Sequence, residues 1–101
     1  MRLQPEIIHF LKKAATDYFD DNPLYLFGSR INDHAKGGDI DLFVLSEEKI
    51  PLSVIRKFKV DFYLNFGWQK IDLINFTYNE ESTFKTIASD NAMLINDIIS
   101  D

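Results

Sequence analysis

Cysteine is missing from all 101 positions of the chain. Its absence excludes disulfide bonds, thiolate metal sites and cysteine nucleophiles, so any chemistry must use oxygen or imidazole groups. The sequence also lacks an apolar run of membrane-spanning length, and Met1 to Pro5 lack the basic and apolar segments of a secretion signal. We therefore expect a soluble, cytoplasmic protein with no membrane partner.

Positive charge is scarce as well. Eleven basic residues face sixteen acidic ones, which gives a net charge of −5. This balance opposes tight non-specific binding to a polyphosphate backbone and disfavours nucleic acid as a direct substrate. A surplus of carboxylates suits a protein that gathers them around divalent cations, although acids that only solvate a surface are the commoner case.

Glycine and proline are few, and they mark the boundaries of predicted elements. A chain of this length with 46% hydrophobic residues fits one compact domain over residues 1–101. Periodicity predicts helices over 5–19, 51–66 and 81–89, and strands over 24–27, 39–45 and 70–76. Residues 92–95 fit either a short strand or a continuation of the last helix. The expected fold class is α/β (α+β), with a small mixed sheet packed against helices.

Two aspartates open the second predicted strand. Asp39 and Asp41 are two residues apart, so their side chains leave the same face of a strand and their carboxylates can share one cation. Aspartate is depleted in strands, and an uncompensated buried carboxylate is expensive, so bound Mg²⁺ is one explanation for the pair. The other is a strand that starts at the surface with both acids hydrated.

Connection lengths predict where these aspartates meet the rest of the sheet. The short link from Gly28 to Asp39 makes the first two strands antiparallel neighbours, whereas a helical crossover makes the second and third strands parallel. The end of the first strand and the starts of the other two then share one edge. If the strands also share a face, Asp72 joins Asp39 and Asp41 beside Gly28.

Gly28 and Ser29 follow the first strand directly. Glycine lets a backbone approach phosphate oxygens closely, and a serine hydroxyl donates a hydrogen bond to them. Arg30 can contact phosphate as a delocalised cation, or it can be an ordinary surface arginine. Alone, a Gly-Ser pair is equally typical of a strand-ending turn.

Three segments together carry a family resemblance: Leu26-Phe27-Gly28-Ser29-Arg30, Asp39-Ile40-Asp41-Leu42 and Lys70-Ile71-Asp72-Leu73. Their order and spacing resemble the DNA polymerase beta nucleotidyltransferase superfamily, and within it the minimal nucleotidyltransferase branch. The resemblance covers residues 24–76 and implies the fold of the polymerase beta catalytic core.

The resemblance also implies residue roles. Gly28, Ser29 and Arg30 would bind the nucleoside triphosphate, ATP being the expected substrate. Asp39 and Asp41 would bind two Mg²⁺ ions, and Asp72 would bind the one nearer the attacking hydroxyl. In such two-metal chemistry, one ion activates the hydroxyl and the other stabilises the departing pyrophosphate.

Small members of this branch resemble the antitoxin half of two-gene modules whose other half is a helical HEPN-type ribonuclease toxin. The implied reaction is transfer of AMP to a tyrosine of that toxin, and the shortness of the chain suits an acceptor supplied by another macromolecule. Two alternatives stay open: an antitoxin that neutralises its toxin by occlusion without catalysis, and nucleotidyl transfer to a small molecule.

Some other residues could be taken for site residues. His34 in the Gly28–Asp39 link and His9 on the first helix are single histidines, which are more often solvated than functional. Asp61 competes with Asp72 for the third-carboxylate role, but it falls inside a helix four residues after Lys57, where an ion pair is expected. The aromatic residues over 58–68 mainly indicate core packing, although an exposed subset could form a partner surface.

Overall fold

A computed structural model describes residues 3–28 and 39–98 of the chain. Its helices are α1 (Pro5–Asp17), α2 (Leu52–Phe66) and α3 (Thr83–Ser89). Its strands are β1 (Leu24–Phe27), β2 (Ile40–Ser46), β3 (Ile71–Thr77) and β4 (Met93–Leu94), and a 3₁₀ turn at Ile95–Asp97 follows. The small α+β fold expected from the sequence is confirmed.

The four strands form one mixed sheet in the order β3-β2-β1-β4. β2 runs antiparallel to β1 and parallel to β3, as the connection lengths predict. The open question over residues 92–95 is answered by Met93 and Leu94, which pair with β1 as a two-residue edge strand. β2 is therefore central, with β1 and β3 on its two sides.

The two faces of the sheet carry different cores. On the face that we call the helical face, Ile40, Leu42 and Val44 of β2 pack with buried side chains of α1 and α2. The opposite face, here the aromatic face, carries a smaller cluster around Phe43 and Phe76, covered by Ala88 of α3. The alternation of side chains along each strand divides the apolar residues between these two layers.

Local sequence accounts for where the elements begin. Pro5 occupies the first turn of α1, where its missing N–H costs nothing. Ser82 caps α3, because its side chain accepts a 3.0 Å hydrogen bond from the backbone N–H of Lys85. Asp20 and Asp21 take positive φ angles of 52° and 63° in the turn that leads from α1 to β1.

A buried asparagine fixes the connection between β2 and α2. The side-chain oxygen of Asn75 accepts a 2.6 Å hydrogen bond from the N–H of Ile50. Its amide group donates to the carbonyl of Val44 at 3.2 Å and to the Ser46 hydroxyl at 3.0 Å. Sequence reasoning did not single out Asn75, because one polar residue in an apolar strand gives no sign of its partners.

The predicted boundaries hold to within one or two residues at most ends. β1 spans the predicted residues, whereas β2 and β3 each start and end one residue later than expected. Asp39 consequently lies just before β2 and not inside it. In the described ranges, no helix is both long enough and apolar enough to cross a bilayer.

Candidate active site

Asp41 and Asp72 lie side by side on the sheet. They are register partners on the parallel strands β2 and β3, and on the other flank of β2 Asp41 is paired with Phe27 of β1. Register partners in adjacent strands point to the same face, so Phe27, Asp41 and Asp72 form one row across the aromatic face. Two carboxylates from different strands thus stand next to each other without an intervening side chain.

Asp39 lies two residues before Asp41 in the chain, just ahead of β2 and outside this row. A 3.0 Å hydrogen bond from the N–H of Ile40 to the carbonyl of Lys70 ties this end of β2 to the start of β3. Asp39 and Asp41 are partly buried, whereas Asp72 is exposed. The edge therefore presents carboxylates at different depths, with the most accessible one on β3.

The surroundings of Asp41 disfavour the charged form of its carboxyl group. Burial raises the pKa of the Asp41 carboxyl above its ordinary value, and the negative charges of Asp72 and then Asp39 raise it further. A negative charge close to the Asp41 carboxyl makes its ionisation harder, and both neighbouring aspartates have this effect. This edge of the sheet is a place of concentrated negative charge, which a bound cation would stabilise.

Gly28 brings the end of β1 against Asp41. Its φ of +81° lies in the left-handed region, which side chains other than glycine rarely adopt. A Cβ atom at this position would lie 2.6 Å from Oδ2 of Asp41, closer than atoms can approach without a shift. The positive φ favours glycine here, and a Cβ would displace the Asp41 carboxylate, which shows that this turn lies beside it.

The other predicted phosphate-binding residues, Ser29 and Arg30, lie outside the described residues, as does His34. Their roles stay predictions from the sequence. Gly28, the first residue of that motif, is the member of it that the structure describes. Its position at the end of β1 puts the start of the motif next to Asp41.

The donor set fits a magnesium ion better than a closed metal cage. Within residues 3–28 and 39–98, no cluster of three or more His, Cys, Asp or Glu side chains is already arranged around a metal position. Mg²⁺ usually takes only one or two protein carboxylates and keeps water and substrate phosphates as its other ligands. Asp41 and Asp72, with Asp39 nearby, supply oxygen donors of that kind.

Phenylalanine side chains on the aromatic face form a ring of contacts next to the carboxylate row. Phe43 contacts Phe27 and Phe76 at centroid distances of 5.6 and 5.4 Å. Phe84 of α3 closes the ring through Phe27 at 6.4 Å and Phe76 at 5.9 Å. These contacts hold β1, β2, β3 and α3 together next to Asp41. Sequence reasoning did not single out Phe84, because its ring contacts with Phe27 and Phe76 join residues from separate elements.

The competing candidates lie elsewhere. Asp61 belongs to α2, which packs on the helical face, and its carboxylate accepts a 2.7 Å hydrogen bond from the Tyr18 hydroxyl. The expected Lys57–Asp61 pairing is wrong, since the ion pairs of the described residues do not include it. His9 is an exposed residue of α1, whose buried side chains also belong to the helical face.

Comparison with known sequences agrees with this arrangement. The profile of the family described as polymerase beta, nucleotidyltransferase matches residues 7–98. A search of curated proteins finds no match. The matched segment contains every strand of the sheet and all three aspartates. Enzymes of this family transfer nucleotidyl groups and generally use nucleoside triphosphates and Mg²⁺. From the profile match and the fold together, the chain belongs to the polymerase beta nucleotidyltransferase family.

Proposed function

We propose that the chain transfers AMP from ATP to a hydroxyl group of a protein acceptor, with Asp39, Asp41 and Asp72 as its metal-binding residues. The observation that carries this proposal is the pairing of Asp41 with Asp72 beside Gly28. Membership in the family supports nucleotidyl transfer in general, and the carboxylate row supplies a position at which the reaction can occur.

Each site residue has its own role in the proposed reaction. Backbone at Gly28 comes close enough to Asp41 that a triphosphate lying over the turn would also reach the carboxylates. Asp39 and Asp41 would hold Mg²⁺ together with Asp72, and the bound ions would neutralise phosphate charge and lower the pKa of the attacking hydroxyl. Because Asp72 is the exposed member of the row, an acceptor can approach from its side.

The transfer exchanges a phosphoanhydride bond of ATP for a phosphate ester bond to the acceptor. The acceptor oxygen forms a bond to the α-phosphorus of ATP, and the bond from that phosphorus to the bridging oxygen of the β-phosphate breaks. Pyrophosphate leaves with the electron pair of the broken bond, and the acceptor proton passes to solvent. The product is an AMP ester of the acceptor.

We further propose that the acceptor is a tyrosine of a HEPN-type ribonuclease toxin and that the chain acts as its antitoxin. This assignment rests on the resemblance of the Gly28-Ser29-Arg30, Asp39–Asp41 and Asp72 segments to minimal nucleotidyltransferases. Exposure of Asp72 supports it, because a macromolecular acceptor needs an open approach to the carboxylates.

Mass spectrometry of the toxin tests the proposal. Purified protein, ATP and Mg²⁺ are incubated with a HEPN-type toxin encoded beside it, and the toxin is expected to gain the mass of one or more AMP groups on tyrosine. Other nucleoside triphosphates in parallel reactions report base preference. No adduct on the toxin, in a preparation that binds ATP and Mg²⁺, would contradict the assignment of the acceptor.

The second candidate function is neutralisation by occlusion, which is favoured by the exposed apolar side chains on α2. An Asp39→Asn/Asp41→Asn variant separates the two functions. An occluding protein should still neutralise the toxin when its carboxylates are removed, whereas an enzyme should lose neutralisation together with AMP transfer. We expect the second result.

A further inference from the structure

The outward side of α2 is apolar although it faces solvent. Leu52, Val60 and Leu64 are 67%, 58% and 80% exposed. The inner side of the same helix already supplies the core, where Phe58 and Phe62 are fully buried and contact Phe10 of α1. The fold does not need the outer leucines and valine for its core, and clustered exposed apolar residues of this kind mark interaction surfaces.

Val60 and Leu64 border a groove of about 660 Å³ along α2, whereas Leu52 is not part of its lining. Ser53, Lys57, Val60 and Leu64 follow one another at three- and four-residue intervals along its length. From Ser53 to Leu64 the helix rises about 16 Å, or roughly three turns. Tyr18, at the end of α1, forms the opposite wall and is fixed there by its hydrogen bond to Asp61. The groove is thus concave, built from two helices and long enough for a short helix.

Its charge is opposite to that of the whole chain. Arg56 and Lys57 line the groove and are exposed, and Asp61, which accepts the hydrogen bond of Tyr18, is the acidic residue of its lining, so two positive charges face one negative charge. The whole chain carries a net charge of −5. A basic, apolar groove on an acidic protein favours an acidic partner by charge complementarity.

Two other occupants fit these features less well. In a symmetric dimer formed through this surface, the Arg56 and Lys57 side chains of both copies would lie in one interface, where the excess of positive charge would oppose association. An anionic lipid surface is flat and would be repelled by the rest of the chain. An acidic amphipathic helix matches the shape, the length and the charge of the groove.

We propose that the groove between α2 and Tyr18 docks an acidic amphipathic helix of a partner protein. Val60 and Leu64 contact its apolar side, and Arg56 and Lys57 pair with its carboxylates. The groove lies on the helical face and the three aspartates lie on the aromatic face, so docking leaves the carboxylate row open. The inference therefore stands independently of nucleotidyl transfer.

Fluorescence anisotropy with two labelled helical peptides tests the inference. Both peptides carry leucine at helical spacing, and glutamate occupies the flanking positions in one and lysine in the other. The glutamate peptide is expected to bind at least about tenfold more tightly, although the net charge of the protein acts against it. An Arg56→Glu/Lys57→Glu variant is expected to reverse that preference.

A matched pair of single variants locates the binding. Leu64→Glu should weaken the glutamate peptide about tenfold or more, whereas Ile87→Glu, at a 64% exposed site on α3, should leave its affinity unchanged. Both positions are exposed, so circular dichroism should show both variants folded. Binding of MgATP is expected to be the same in the wild type and in both variants.

Each contrary result overturns the inference. Equal affinity for the two peptides, or no effect of Leu64→Glu, would show that the groove does not select an acidic helix. Sedimentation that reveals a dimer lost in Leu64→Glu would assign the surface to a second copy. Binding to vesicles of anionic lipid that depends on Leu64 would assign it to a membrane.

Discussion

Removal of one carboxylate from the row should stabilise the protein while it disables the metal site. The variant is Asp72→Asn, because Asp72 is exposed and its replacement keeps the size of the side chain. In the metal-free wild type, burial raises the pKa of Asp41, and the negative charges of Asp72 and then Asp39 raise it further, so the folded state holds charges that repel one another. Asparagine at position 72 removes one of them. Such gains in stability at the cost of function are typical of active sites.

The geometry of the sheet sets the size of the effect. Register partners on adjacent strands are about 5 Å apart, and two unit charges at that distance repel by about 1 kcal/mol in water and about 3 kcal/mol at a protein surface. Because Asp72 is exposed, we expect the lower value. A gain of about 1 kcal/mol raises the melting temperature of a domain of this size by roughly 4–8 °C.

Thermal unfolding by circular dichroism, with chelator and at low salt, measures this gain. Glu48→Gln is the matched control, because it removes one charge from an exposed position away from the row, and its melting temperature should not change. The gain in Asp72→Asn should shrink at about 1 M salt, where screening acts within about 3 Å. Added Mg²⁺ should stabilise the wild type more than the variant. A metal-free Asp72→Asn protein that melts at or below the wild-type temperature would refute the reasoning.

Three further predictions concern residues that position the site and the core. Gly28→Ala should lose about 1–2 kcal/mol of stability and most nucleotide affinity, because the added Cβ would meet Asp41 and the φ angle at this position is positive. Calorimetry measures the loss of stability, and ATP titration measures the loss of affinity. Asn75→Ala should cost about 2–4 kcal/mol in urea unfolding, because the buried hydrogen bonds around Asn75 lose their centre. Above pH 10 the wild type should lose stability faster than Tyr18→Phe. The hydrogen bond to Asp61, followed by burial, raises the pKa of Tyr18 above 10, so the unfolded chain releases that proton first. Tyrosinate absorbance and alkaline unfolding curves check this sign.

Sequence patterns predicted the main elements because their signals are local. The helical spacing of α1 and the apolar run of β1 are bounded by Pro5, Pro23 and Gly28, so each element could be read from its own residues. The strand directions followed from connection lengths. β4 was different, because a two-residue strand has no periodicity and exists only through its pairing with β1.

The site was harder to predict than the fold. The sequence put the aspartates near one edge, but a register shift of one residue would have moved Asp72 to the other face of the sheet. The pairing of Asp41 with Asp72 is a tertiary fact that no local pattern contains. The same holds for Asp61, whose hydrogen-bond partner Tyr18 lies 43 residues away and not one helical turn away.

A crystal structure of the chain with Mg²⁺ and a non-hydrolysable ATP analogue tests directly whether the three aspartates bind the metal. We expect Mg²⁺ between the carboxylates of Asp39, Asp41 and Asp72. We also expect the triphosphate to lie over Gly28, with its α-phosphate nearest to these carboxylates. Magnesium bound without these aspartates, or a triphosphate held away from the Gly28 turn, would contradict these expectations.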